Sequence, residues 1–341
     1  MNQVNWGIIG LGVIASQFAK GFEGLNSAKL LAIASTNQDK LSKFKKDLKI
    51  DIEYCFSNYQ TLIEHKEIDI IYIALPTSLH HQWIVKCLDA GKKVLVEKPA
   101  TMNANEIKEI KKKYSKEKIF IHEAYMYMYH PQILKVIELI NQREIGELIS
   151  MESSFGINIL TKKNIFGFNK IKKLNKKNRI FNKELGGGVI LDIGCYPVTL
   201  STLIMSQIAD IDYDKIKIKN IKKDIRQNEV EINASMEMIF ENNFKSNVSA
   251  SFTKNLGRKT SILGKKGELI IEDTWLANPS IITIKKKHDR IIKINSIQNI
   301  YTYEIDALSK CILENKTMPN FTGLTIDDII GNMKIIDKWK R

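Results

Sequence analysis

The stretch Val4-Asn5-Trp6-Gly7-Ile8-Ile9-Gly10-Leu11-Gly12-Val13-Ile14-Ala15 decides the fold. Its first six residues form a short apolar run, two glycines interrupt it, and Ile14, Phe18 and Phe22 then recur at helical spacing. This places G-x-G-x-x-A between a strand and a helix. In that context Gly10 makes the tight turn and Gly12 lets a pyrophosphate approach the backbone, with Val13 and Ile14 opening the helix beside it. Small Ala15 packs the helix on its strand, and the helix N-terminus faces the anion. A second apolar strand, Leu30 to Ala34, follows at the spacing of a dinucleotide-binding unit.

Ser35-Thr36-Asn37 ends that second strand, where an NAD-selective site places Asp or Glu on the ribose hydroxyls. Hydroxyl and amide groups with Lys40 close behind suit a ribose 2′-phosphate. NADP(H) is therefore favoured and NAD(H) stays open. Further strands are expected at Ile68 to Leu75, Lys93 to Glu97 and Lys118 to His122, separated by helical patterns, which makes a parallel, doubly wound sheet. Ligands bind beyond the C-terminal ends of such strands, so Pro76 to His80 and Glu97-Lys98-Pro99 are placed to reach a cofactor.

At 341 residues the chain is long enough for two domains, since single cores stop growing at about 250 to 300 residues. A hydrophobic content of 44% with 26% charged residues excludes a disordered or low-complexity chain. The net charge of +14 invites a nucleic-acid or membrane reading. However, all but six of the 52 basic residues are lysine, and Ile and Asn are also abundant. All three have A/T-rich codons, so base bias explains the charge, whereas groove readers lean on Arg. No nucleic-acid or membrane partner is expected. Cys55, Cys87, Cys195 and Cys311 are scattered, with no metal spacing or secreted disulfide framework, and no signal peptide is visible. The expectation is a cytoplasmic protein without a metal. The apolar stretch 186–209 contains Asp192, Pro197 and several hydroxyls, and reads as a buried helix rather than a membrane span.

Gly10-x-Gly12-x-x-Ala15, Glu97-Lys98-Pro99, and Gly186-Gly187-Gly188 running into Asp192-Ile193-Gly194-Cys195-Tyr196 together resemble the glucose-fructose oxidoreductase, inositol dehydrogenase and rhizopine-catabolism (Gfo/Idh/MocA) family. The resemblance extends through Glu123 to Tyr127, His130-Pro131-Gln132, Ile145-Gly146-Glu147 and Tyr303-Glu304-Ile305. Tyrosine at the end of D-x-G-x-Y is most similar to the NADP-dependent D-xylose dehydrogenase and trans-dihydrodiol dehydrogenase branch. The family implies a Rossmann domain followed by an α+β domain with an open, mostly antiparallel sheet, one face of which pairs subunits into a homodimer or homotetramer. The boundary is expected near His122, giving domains 1–122 and 123–341. Independently, Ile149 to Phe155, Ala234 to Phe240, Ser246 to Phe252, Thr260 to Leu263 and Glu268 to Ile271 read as strands. A C-terminal helix is expected from Thr325 to Trp339.

The chemistry implied is hydride transfer between nicotinamide and a sugar or related cyclic alcohol carbon, most like an aldose 1-dehydrogenase. Tyr196 is the candidate acid/base. Ionising a free tyrosine at pH 7 costs roughly 4 kcal/mol, so it needs a cation. Lys98 is the candidate, and Asp192 would hold sugar hydroxyls or orient the lysine. Asp192 and Tyr196, four apart, share a face if one helix carries both, whereas a helix starting at Pro197 would separate them. The resemblance also implies a cis Lys98-Pro99 bond, a cofactor-side role for His80, and Arg179 near substrate. Cys195 reads as packing. Lys162, Lys163, Lys170, Lys172, Lys173, Lys176, Lys177 and Arg179 fall in a stretch without acids. It is either a solvated loop or an attractor for an anionic sugar or nucleotide-sugar, which is the alternative substrate class. A non-catalytic cofactor-sensing protein is a third reading, and it would have no need of Lys98, Asp192 and Tyr196 together.

Overall fold

The computed structural model describes residues 3–115, 119–163, 169–171, 175, 178–226, 229–296, 299–319 and 323–341. The chain divides into two compact units, residues 1–130 with 297–330 and residues 131–296 with 331–341.

In the first unit, strands β1 (Val4–Ile9), β2 (Ala28–Ala34), β3 (Cys55–Phe56), β4 (Ile70–Ile73), β5 (Lys93–Glu97) and β6 (Ile121–Ala124) alternate with helices α1 (Val13–Ala19), α2 (Gln38–Leu48), α3 (Tyr59–Glu64), α4 (His80–Asp89) and α5 (Ala104–Lys113). The strands form a parallel sheet in the order β3-β2-β1-β4-β5-β6, which is the doubly wound arrangement the glycine turn implied. Ile8, Ile33, Ile71, Tyr72, Leu95 and Val96 are fully buried, as strands covered by helices on both faces require. The last strand is Ile121–Ala124 rather than Lys118 to His122, so Glu123 lies inside the sheet.

The helix α8 (Tyr301–Leu313) belongs to this first unit, so the division departs from a boundary near His122 with everything after it in the second domain. The reason is packing. Trp6 donates to Ser309 Oγ at 2.9 Å, Ser27 donates to Asp306 at 2.6 Å, and Tyr301 meets Phe18 edge-on at 5.9 Å.

The second unit opens with α6 (Pro131–Asn141) and β7 (Leu148–Gly156), followed by the short pair β8 (Thr161–Lys163) and β9 (Asn169–Ile171) and the helix α7 (Cys195–Ser206). Strands β10 (Lys217–Ile225), β11 (Glu231–Ile239), β12 (Lys245–Ser251), β13 (Thr260–Gly264), β14 (Gly267–Ile271), β15 (Ile281–Lys285) and β16 (Arg290–Lys293) complete it. Its main sheet runs β10-β11-β12-β7-β13-β14-β15-β16. The β12 to β7 pairing is parallel and the others are antiparallel. One face alternates into the core through Met151, Phe155, Val248, Ala250, Met236 and Ile262. α7 is buried from Cys195 to Met205, and the most apolar 18-residue window of the segment Lys183–Ser206 around it is 94% buried, as in a core helix. The final helix, α9, is Ile326–Lys340.

Candidate functional site: a dinucleotide cradle and a tyrosine helix

At the tip of β1, Gly10 adopts φ +90, and a Cβ there would stand 2.6 Å from the Ala74 carbonyl oxygen. Only glycine lets the β1 and β4 ends come so close. Gly12 differs, because a Cβ there would meet no protein atom within 4 Å. Its value lies in what approaches from outside. Val13 is 80% exposed, Ile14 is half-buried, and no side chain caps the start of α1. Open backbone beside uncapped N–H groups fits the phosphates of a nicotinamide dinucleotide.

At the end of β2, Ser35 is buried and its Oγ accepts the Asn37 N–H at 3.1 Å. Thr36 and Asn37 are exposed. The Asn37 side chain caps α2 by accepting the Lys40 N–H at 2.9 Å, so its oxygen is engaged in the helix start. Beyond β4, Pro76 caps a short turn through Thr77–Leu79. His80 is 1% exposed, with Nε2 2.8 Å from the Leu75 carbonyl and Nδ1 3.0 Å from the Pro99 carbonyl. The ring thus ties the β4 loop to the β5 loop.

Glu97 and Lys98 are half-buried at the end of β5, and the Lys98-Pro99 bond is cis. Tyr72 donates to Glu97 Oε1. Around this bond lie acids that spacing alone did not single out. Glu304 is fully buried with neither carboxyl oxygen hydrogen-bonded, and burial, reinforced by the Glu97 charge, pushes it well above the usual carboxylate range. Burial pushes Glu123 up to about 7, although the Ala100 N–H and the Lys98 charge both favour its ionised form.

In the second unit the triple glycine folds back on the turn Arg179–Phe181. Gly187 N–H donates to Asn182 O at 2.8 Å and Gly188 N–H to Ile180 O at 2.9 Å, while a Cβ on Gly187 would sit 2.6 Å from Arg179 O. That close return brings Arg179 Nη2 to 2.9 Å from Asp192 Oδ1. The helix does not begin at Pro197. Ile190–Gly194 forms a π-helical turn that runs directly into α7, so Asp192 and Tyr196 lie one wide turn apart on a continuous helix. Pro197, which has no N–H to donate, comes just after the wide π turn. Asp192 is 15% exposed and Tyr196 6% exposed.

Two aromatic rings hold Tyr196. Phe155 meets it edge-on at 5.2 Å and Trp275 at 5.6 Å, and Trp275 is fixed by its Nε1 donating to Ser154 O at 2.9 Å. Neither ring was legible as a site residue, since Phe155 looks like any strand residue and Trp275 lies in a turn. Cys195 packs, its Sγ on Leu191 O at 3.2 Å. Of the basic stretch, Lys172, Lys173, Lys176 and Lys177 lie outside the described residues, and Lys162, Lys163 and Lys170 lie in the strands β8 and β9.

Comparison with known proteins agrees with this architecture. Residues 4–125 match the profile of an oxidoreductase family with an NAD-binding Rossmann fold, and residues 133–270 match the GFO/IDH/MocA C-terminal domain. The trans-1,2-dihydrobenzene-1,2-diol dehydrogenase of Xenopus tropicalis is 26% identical over 336 residues, covering 96% of this chain and 95% of that protein. The D-xylose 1-dehydrogenase (NADP(+)) of Hypocrea jecorina is 30% identical over 207 residues, 58% of this chain and 51% of that one. A 3-ketoreductase from Actinomadura kijaniata, solved as a mutant in complex with TDP-benzene and NADP, superposes with a TM-score of 0.82 at 20% identity over 98% of this chain and 96% of its own. With the glycine turn, the six-stranded parallel sheet and the open second sheet all in place, the chain belongs to the GFO/IDH/MocA family of nicotinamide-dependent oxidoreductases.

Proposed function

We propose that this protein moves a hydride between NADP(H) and a secondary alcohol or hemiacetal carbon of a sugar or related cyclic alcohol, most like an aldose 1-dehydrogenase. The observation that carries the reading is the single helix that presents Asp192 and Tyr196 one turn apart, with Arg179 on the aspartate and two aromatic rings on the tyrosine. A cofactor-sensing protein has no use for that arrangement.

When bound, the nicotinamide supplies or accepts the hydride. The chain supplies proton chemistry and orientation. In the reducing direction the neutral Tyr196 phenol gives its proton to the substrate oxygen, and in the oxidising direction it takes one back. A free tyrosine ionises only near pH 10, so the oxidising direction needs a cation at the reacting oxygen, the role assigned to Lys98. Asp192, held by Arg179, accepts hydrogen bonds from sugar hydroxyls. Gly10, Gly12, Val13 and Ile14 hold the pyrophosphate, and Ser35, Thr36 and Asn37 with no acid among them leave room for a 2′-phosphate. Pro76, His80 and Glu97 shape the nicotinamide side.

Arg179 is 40% exposed beside Asp192, which keeps an anionic sugar or nucleotide-sugar as the second substrate class. The half-exposed outer face of the second sheet, with Ser150, Ser154, Ser235 and Ser249, is proposed to pair copies into a dimer or tetramer, which light scattering tests. Four free cysteines suit a cytoplasmic setting. The functional test is nicotinamide absorbance with NADP and NAD against neutral aldoses, anionic sugars, nucleotide-sugars and an aromatic dihydrodiol. Turnover of a neutral aldose with NADP supports the first reading. Turnover confined to anionic sugars replaces it with the second, and tight cofactor binding with no turnover of any of them overturns both.

A further inference from the structure

The peptide unit that follows Lys98 and Pro99 is gripped at both polar ends. Its carbonyl, Pro99 O, faces His80 Nδ1 at 3.0 Å, and its N–H, on Ala100, donates to Glu123 Oε1 at 2.8 Å. His80 is 1% exposed and Glu123 4% exposed, so neither contact is shared with bulk water. The other His80 nitrogen also faces a carbonyl, that of Leu75 at 2.8 Å. A neutral imidazole has one N–H to give, whereas an imidazolium satisfies both acceptors. An ionised ring at the oxygen end of the peptide and an ionised Glu123 at its N–H end would each match the local dipole. One residue before Lys98, Glu97 is held through Tyr72. The backbone on both sides of the lysine is thereby fixed.

We propose that Glu123 and His80 are positioning residues for Lys98, acting through the Pro99–Ala100 peptide that they hold from its two ends. The inference rests on the assignment of Lys98 to the reaction. Glu123 has a second influence, because its charge lies within Coulombic range of the Lys98 ammonium. The titratable groups around it are Glu97 and Lys98 at the end of β5, Tyr125 just past the end of its own strand and His80 across the peptide. Burial raises the Glu123 carboxyl to about 7, so its ionisation is felt at Lys98 around neutral pH.

The test reads Lys98 directly and needs no substrate. Lysines are dimethylated with ¹³C-formaldehyde, and the Lys98 resonance is assigned by its loss in Lys98→Met. A titration of the unmutated protein is expected to show an inflection at Lys98 with a midpoint near 7, far below the value of about 10 for a free lysine side chain. Glu123→Gln keeps an acceptor for the Ala100 N–H and is expected to abolish that inflection, while leaving NADPH affinity within about twofold. A Lys98 resonance without an inflection near neutrality in the unmutated protein, or an inflection that survives Glu123→Gln, overturns the proposal. The first of these outcomes decides even if the variant does not fold. Failure of the catalytic assignment is separate: Lys98→Met would then retain turnover, whatever the titration shows.

Discussion

Replacing Ser35 with Asp tests where the ribose end of the cofactor is read. Ser35 is 3% exposed and its Oγ accepts the Asn37 N–H at 3.1 Å, a contact that one Asp oxygen reproduces. The second oxygen adds a negative charge at the rim, beside the exposed Thr36 and Asn37. For a separation of about 6 Å, a dielectric of about 40 to 80 and a 2′-phosphate charge of about −1.5, Coulomb's law gives roughly 1 to 2 kcal/mol of repulsion. That is a loss of about 5- to 30-fold in NADPH affinity. NADH, which offers two hydroxyls for the same carboxylate, should bind as well or better. Fluorescence titration of both cofactors at low and high salt measures this. The NADPH penalty should shrink as salt rises, because the Debye length falls from about 10 Å at 0.1 M to about 3 Å at 1 M. Unchanged NADPH affinity in Ser35→Asp would refute the placement of the 2′-phosphate at this turn. A loss equal for both cofactors and indifferent to salt would show damage to the β2 end instead.

Three further outcomes are expected. Lys98→Met should lower turnover by about a hundredfold or more with cofactor affinity retained, as measured by steady-state kinetics; near-normal turnover removes Lys98 from the chemistry. Gly187→Ala places a methyl 2.6 Å from Arg179 O and 2.7 Å from Asn182 N, so the turn must open. A stability loss of about 1 to 3 kcal/mol by denaturant unfolding should follow, and an unchanged midpoint would mean the turn yields freely. His122 is held down to about 4 by burial, with Nε2 on Thr317 O at 3.0 Å and Nδ1 unpartnered. Because the folded state favours the neutral ring, the contribution is intact above 6.5 and is lost as pH falls from 6.5 through 4, by about 3 kcal/mol for this one group. Thermal unfolding across that range should fall less steeply in His122→Asn, and a parallel fall would exclude the histidine as the cause.

The parallel sheet was legible because its signals are local. Gly10 and Gly12 follow an apolar run, and strands buried on both faces read as continuous Val, Leu and Ile, as at Val94 to Val96. The edge strands of the second sheet were not legible. β10 interleaves Lys217, Lys219, Lys222 and Lys223 with isoleucines, faces solvent along most of its length, and shifts register between Lys219 and Lys222, so no period of two survives. β15 and β16 carry a similar mixture of Ile and Lys. Helix Tyr301–Leu313 joins the first unit through contacts some 300 residues apart in sequence, such as Trp6 to Ser309, which no pattern within one helix announces.

At the site, the residue types were readable and their partners were not. Asp192 and Tyr196 stood out by spacing, but the π turn that keeps them on one helix despite Pro197 is a tertiary outcome. Asn37 was read as a cofactor group, and the structure also uses it as a helix cap. His80 was read on the cofactor side, where the structure gives both its nitrogens to backbone carbonyls. Glu123 gave no chemical signal in sequence, because its importance comes from being buried beside Lys98.

The most direct test of the account is the single-turnover rate of hydride transfer in Tyr196→Phe, followed by nicotinamide absorbance with whichever sugar the unmutated protein accepts. The substitution removes only the hydroxyl and leaves the ring between Phe155 and Trp275. The account predicts unchanged NADPH binding and a rate lower by about a hundredfold or more, recovering in neither direction of the reaction. A rate within about threefold of the unmutated protein would contradict it, because the proton would then travel by a route that does not use Tyr196.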